Sequence, residues 1–147
     1  MLVFAMVAHE YAHAAAALRQ GDDTAYMLGR VTLNPLPHID PWMSLLLPAL
    51  LWFGTNGSFV FGGAKPVPVN PRKYRKFIRG DIIVSLAGVF TNLLIAIACA
   101  GLIVLTGLLA RGVPALSVSV GILQAMFTIG VMLNFGLIVF NLLPIPP

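Results

Sequence analysis

"IIVSLAGVFTNLLIAIACAGLIVLTGLLA", Ile82 to Ala110, contains no Asp, Glu, Lys or Arg. A helix needs about 20 apolar residues to cross the hydrocarbon core of a bilayer, and this stretch exceeds that without help from its neighbours. Two further stretches are equally free of charge, Pro41–Ala64 and Gly112–Pro147. Over the 147 residues the chain is 59% hydrophobic and 10% charged, with a mean hydropathy of +0.91. A soluble domain has about a quarter of its residues charged, so a globule of this composition could not clothe its surface in polar groups. The expectation is one membrane-embedded domain over residues 1–147.

The net charge of +4 is concentrated in "AKPVPVNPRKYRKFIRGD", where Lys65, Arg72, Lys73, Arg75, Lys76 and Arg79 make up six of the nine basic residues. No aromatic stacking platform or nucleic-acid motif accompanies them. Beside long apolar runs, such a cluster marks the cytoplasmic side and faces anionic lipid, so the lipid bilayer is the expected partner and nucleic acid is not. The lone Cys99 lies inside an apolar run and reads as a small packing residue. Met1–Ala17 has the apolar length of a signal peptide but lacks a basic start, and that reading is rejected.

Along the chain, Leu2–Leu18 reads as a helix closed by Arg19 and the turn-forming "QGDD". "TAYMLGRVTL" alternates enough to suggest a short strand pair around Gly29, and the three prolines of "NPLPHIDP" force a loop. Trp42–Ala64 is broken by Pro48 and by "GTNG", which favours a re-entrant or interfacial hairpin over a clean crossing. Asp81 is placed to cap a long helix to about Ala110, "RGVP" at Arg111–Pro114 turns the chain, and a second long helix covers Ala115–Leu143. If the basic loop is cytoplasmic and the hairpin does not cross, the end of the first helix and the C-terminal "NLLPIPP" lie on the same side.

One segment fits none of this apolar pattern. "VAHEYAHAAAA", Val7–Ala17, holds His9, Glu10 and His13, and Glu10 is the only glutamate in the chain. Residues four apart on a helix share a face, so both imidazoles can aim at one ion. The glutamate beside the first histidine can reach a water on that ion without ligating it. This is the H-E-x-x-H arrangement of zinc hydrolases, in which the metal acidifies water and the carboxylate takes its proton. On a soluble helix the same residues are often only a polar surface. In an apolar helix they are costly unless paired, hydrated or metal-bound.

"HEYAH", "GRVTLNPLPHIDP", "GAKPVPVNPRKY", "SLAGVFTN" and "NLLPIPP" occur in this order, and together they resemble the site-2 protease family of intramembrane zinc metalloproteases, most closely its small bacterial members. The resemblance covers essentially the whole chain. It implies an all-α polytopic membrane protein, with a three-helix metalloprotease core, a re-entrant or interfacial hairpin and short β-like segments. It implies Zn2+ held by His9 and His13, with Glu10 as the catalytic base. Asn141 matches the asparagine thought to orient the scissile carbonyl, and Asn92 matches that of the A-G-P-x-x-N segment, whose proline is here Val89. The implied function is hydrolysis of peptide bonds in transmembrane segments of other proteins, with the site toward the cytoplasm of a bacterial inner membrane.

The family's third zinc ligand is an aspartate just after "NLLPxxP", a position past Pro147. The expectation is therefore a chain shortened at its C-terminus, and the closeness of Met1 to the histidines suggests a shortened first helix as well. Asp40 or His38 could in principle substitute as ligands. "GAKPVPVNP" reads either as a headgroup anchor or as an extended edge for an unwound substrate. Two rival functions stand beside proteolysis. One is an inactive relative that binds metal or membrane substrates without cleavage. The other is a metal transporter or sensor, which the few polar residues of the long helices (Ser85, Asn92, Gln124, Asn134) argue against.

Overall fold

The computed structural model describes residues 1–59, 62–112 and 117–143. Its elements are α1 (Leu2–Gln20), α2 (Thr24–Met27), a π-helical turn Pro41–Leu46 leading into α3 (Leu47–Gly54), α4 (Phe77–Gly112) and α5 (Ser117–Leu142), with single 3₁₀ turns at Leu36–His38 and Pro71–Lys73. No strand occurs among the described residues, so the short β-like segments expected from "TAYMLGRVTL" are corrected. Thr24–Met27 coils into one helical turn, and Gly29, at φ +65°, ends it. The Arg30 N–H reaches back to Ala25 O and the Gly29 N–H to Tyr26 O, closing a left-handed helix cap where a strand bend was expected. Gly21, at φ +109°, ends α1 in the same way, with Asp22 N–H on Ala17 O and Gly21 N–H on Leu18 O.

α4 begins four residues earlier than its charge pattern suggests, so Asp81 is an exposed residue inside the helix and not its cap. The turn read at Arg111–Pro114 and the terminal "NLLPIPP" lie partly outside the described residues. α4 and α5 are long and apolar enough to cross a membrane, with window hydropathies of 2.7 and 2.0.

The chain divides into two compact units, Met6–Gly88 and Met1–Ala5 with Val89–Pro147. In the second, α4 and α5 run antiparallel. Gly130 lies against Cys99, and farther along the pair Gln124 donates its Nε2 to Ile103 O at 3.2 Å. Small residues allow that approach, as is usual where helices associate without a hydrophobic drive between them. Asn92 and Asn134 are both buried in this unit, and Asn134 donates its Nδ2 to Gly130 O at 2.8 Å.

The first unit is organised around the alanine face of α1. Ala14 packs with Ala25 and Val67, and Ala17 packs with Tyr74 and Val84. Alanines here leave room for the proline-rich segment and the start of α4 to come close. The hairpin region doubles back on itself: Gly63 N–H donates to Met43 O at 3.0 Å, and Ser44 Oγ donates to Gly63 O at 2.6 Å. Asp40 accepts from Trp42 N–H and Met43 N–H, and so caps the π-helical turn.

Asp22 fastens the end of α1 to the loop before α4. It is fully buried, and its carboxylate accepts from Asn70 N–H at 2.6 Å, from Thr24 N–H at 3.0 Å and from the Thr24 hydroxyl. Burial pushes the carboxyl up. The hydrogen bonds from Asn70 and Thr24 and the charge of Lys73 outweigh it and hold the group below the ordinary carboxylate range. A carboxyl lowered by folding stabilises the fold above its unfolded value of about 3.9 and loses that contribution as pH falls through its folded value. Asp22→Asn turns an NH2 group toward one of these donors and is expected to cost about 1–3 kcal/mol at pH 7. Thermal unfolding in detergent should show the gap to wild type closing below about pH 4. A gap of constant size from pH 7 to 3 counts against the ionised carboxylate as the fastening group.

Candidate metal centre

α1 carries His9 and His13 one turn apart and turns both toward the first part of α4. His9 is buried. His13 Nδ1 lies 2.7 Å from the Val84 carbonyl. A carbonyl only accepts, so Nδ1 carries the proton and the neutral ring presents an unprotonated Nε2. That Nε2 lies 2.9 Å from His9 Nε2, which therefore donates to it. The rings meet edge to face, with centroids 4.6 Å apart at 75°. Two nitrogens tetrahedrally bound to one zinc, at Zn–N of about 2.0–2.1 Å, stand roughly 3.3 Å apart. The pair is thus a few tenths of an ångström from ligand separation, and His13 already has the backbone-carbonyl partner that metal-binding imidazoles commonly use to fix their tautomer.

Glu10 points from the same turn to a backbone donor. Its Oε2 accepts from Val67 N–H at 2.8 Å. Val67 stands between Pro66 and Pro68, neither of which has an N–H, so it supplies the one donor of that tripeptide. The prolines also bias the residues before them toward extended backbone. The buried Val67 side chain anchors the segment against Ala14 and Ala25. Lys65 N–H, two residues earlier, donates to His38 O at 2.8 Å. The donors at Lys65 and Val67 are therefore used within the fold, and the second of them holds the glutamate.

His9, Glu10 and His13 are thus brought together with two residues that motif reading did not single out, Val67 and Val84. The alternating prolines were the available signal for Val67; nothing in the sequence marks Val84. The remaining candidates lie elsewhere. His38 is buried, and its Nε2–H donates to Thr32 O at 3.0 Å. Asp40 caps the turn after it. No group of three His, Cys, Asp or Glu side chains able to hold a metal occurs among the described residues, so neither joins the histidine pair. Asn141 belongs to the other unit, where its Nδ2 donates to Leu137 O at 2.8 Å.

The two histidines fit a zinc ion by donor chemistry and separation, and His13 also by tautomer, while His9 must give up its Nε2 proton to ligate. Comparison with known proteins agrees. Over 146 residues, 99% of this chain, the sequence is 40% identical to "Putative zinc metalloprotease YwhC" of Bacillus subtilis, and the match covers 62% of that protein. Over 94 residues, 64% of this chain, it is 39% identical to "Putative zinc metalloprotease Rip2" of Mycolicibacterium smegmatis, covering 34% of that protein. The chain therefore spans less than two thirds of the length of these relatives. No protein-family model matches the chain, and no solved structure does. With its motifs in order, the chain is similar along nearly all of its length to a relative named as a zinc metalloprotease, and those motifs resemble the ones of the site-2 protease family.

Proposed function

We propose that the protein is a zinc-dependent endopeptidase that hydrolyses peptide bonds within transmembrane segments of other membrane proteins, on the cytoplasmic side of a bacterial inner membrane. The observation that carries this reading is the convergence of His9 Nε2 and His13 Nε2 at 2.9 Å, with the chain's single glutamate on the same helical turn. When bound, zinc supplies Lewis acidity that polarises a peptide carbonyl and makes water at the site acidic near neutral pH. Glu10, held by Val67 N–H, takes the proton of the attacking water and returns it to the leaving amide nitrogen. His13, tied to Val84 O, keeps the tautomer that leaves Nε2 free. The family motif gives Asn141 the orienting of the scissile carbonyl.

The depth of the site supports cleavage inside the membrane. Val84, which binds His13, and Gly88 lie seven and eleven residues along α4 from Phe77. At 1.5 Å per residue that is about 10 and 16 Å from the start of α4, and about 8 and 14 Å beyond Arg79, the last residue of the basic cluster. If Arg72–Arg79 lie at the headgroups, the histidines lie within a hydrocarbon core about 30 Å thick. In such a core α1, α4 and α5 would form the three-helix arrangement, and Pro41–Ala64 the re-entrant hairpin.

The test is cleavage of a reporter containing a transmembrane segment, in vesicles holding the protein. Stripping zinc with a chelator is expected to lower the rate at least about 100-fold, and added zinc to restore it. Undiminished cleavage by zinc-stripped protein excludes the proposal.

A further inference from the structure

We infer that Gly88 is a spacing residue of the metal centre: the side chain it lacks leaves the volume beside the two imidazoles in which the ion sits. This rests on the metalloprotease reading and adds to it a residue that ligates nothing. Gly88 is buried on α4, and its φ is not of the kind that demands glycine. Its requirement is one of room. A Cβ built there falls 2.5 Å from His13 Nε2, 2.4 Å from His9 Cε1 and 2.6 Å from His9 Nδ1. The first distance is close to the 2.0–2.1 Å at which a zinc ion stands from an imidazole nitrogen. A methyl group at 88 therefore competes for space with the ion and with both rings. Gly101 on the same helix, and Gly121 and Gly136 on α5, have nothing within 4 Å of such a Cβ, and at Gly80 and Gly130 the close atoms are those of Tyr74, Met1 and Cys99, none of them an imidazole.

Neither ring can retreat easily. His13 is tied through Nδ1 to Val84 O, one turn before Gly88 on the same helix, and His9 is buried. The Val84 carbonyl and the Gly88 Cα form one backbone wall, the first fixing the tautomer and the second setting the clearance. Close approach of a backbone to a ligand is a standard use of glycine.

The test compares zinc binding by purified wild type, Gly88→Ala and Gly101→Ala in detergent, titrated with zinc and read by bound metal after desalting. Gly88→Ala is expected to lower zinc affinity at least about 100-fold, at the upper end of what altering a ligand's immediate support does, and Gly101→Ala to leave it unchanged. A Gly88→Ala protein that binds zinc like wild type overturns the inference and leaves the metalloprotease reading standing. A wild type that binds no zinc overturns both.

A second measurement guards against simple misfolding. His9→Ala removes one of the rings in conflict, so the fall in thermal midpoint caused by Gly88→Ala should shrink by at least half in a His9→Ala background. An equal fall in both backgrounds means that residue 88 acts through helix packing away from the histidines, and overturns the inference.

Discussion

Replacing Glu10 by glutamine is expected to lower the rate of reporter cleavage by about 10²–10⁴-fold or more, with bound zinc unchanged. The two outcomes separate because the glutamate has two tasks in this fold. It accepts from Val67 N–H at 2.8 Å, which fixes the proline-rich segment beside α1, and it is the base next to the histidine pair. Glutamine keeps an oxygen for the first task and cannot take a proton for the second. Alanine would remove both and leave the Val67 donor without its partner, at a cost of about 1–3 kcal/mol, so a dead alanine variant would report little about chemistry. No other glutamate exists in the chain, and no third carboxylate, thiol or imidazole groups with the histidines among the described residues. A glutamine variant that cleaves at the wild-type rate removes Glu10 from the mechanism. One that loses its zinc would make Glu10 a ligand instead of a base.

How much of this could be read beforehand depends on which physics a segment obeys. The helices of the long apolar runs were legible because length and hydropathy alone set them, and α4 and α5 appear where the charge-free stretches lie. The boundaries were less so. α4 starts at Phe77 because apolar residues and backbone hydrogen bonding carry the helix back past Asp81, and an acidic residue one turn into a helix looks in sequence like the cap itself. "TAYMLGRVTL" misled because its alternation is only four or five residues long, too short to separate a strand from a helical turn closed by a left-handed glycine. His9, Glu10 and His13 were legible because three costly side chains in an apolar helix need a common reason. Val84 was not, since a backbone carbonyl leaves no mark in a single sequence; Gly88 sits within "SLAGVFTN", but only the fold shows that it faces the two imidazoles. The Val67 donor lies between these cases. Its flanking prolines announce an extended segment with one N–H to give, but the recipient, 57 residues earlier, appears only in three dimensions.

His13→Ala is expected to abolish the response of the protein to zinc while changing the zinc-free fold little. His13 makes two hydrogen bonds, one to Val84 O and one from His9 Nε2. Each such bond is worth about 0.5–1.5 kcal/mol net, and the Val84 carbonyl retains its place in the α4 ladder, so the loss without metal is modest. With metal the comparison changes. Zinc at a hundred times its Kd stabilises a one-site protein by about 2.7 kcal/mol. Removing a ligand should weaken binding by more than the 10–100-fold, roughly, that follows from altering a supporting partner. The zinc-induced rise in thermal midpoint should therefore be present in wild type, absent in His13→Ala at the same zinc concentration, and absent in His9→Ala as well, because one imidazole cannot hold the ion that two were placed to share. If zinc stabilises His13→Ala as much as wild type, the ion binds elsewhere, and the 2.9 Å approach of the two Nε2 atoms is only a hydrogen bond between neighbouring turns.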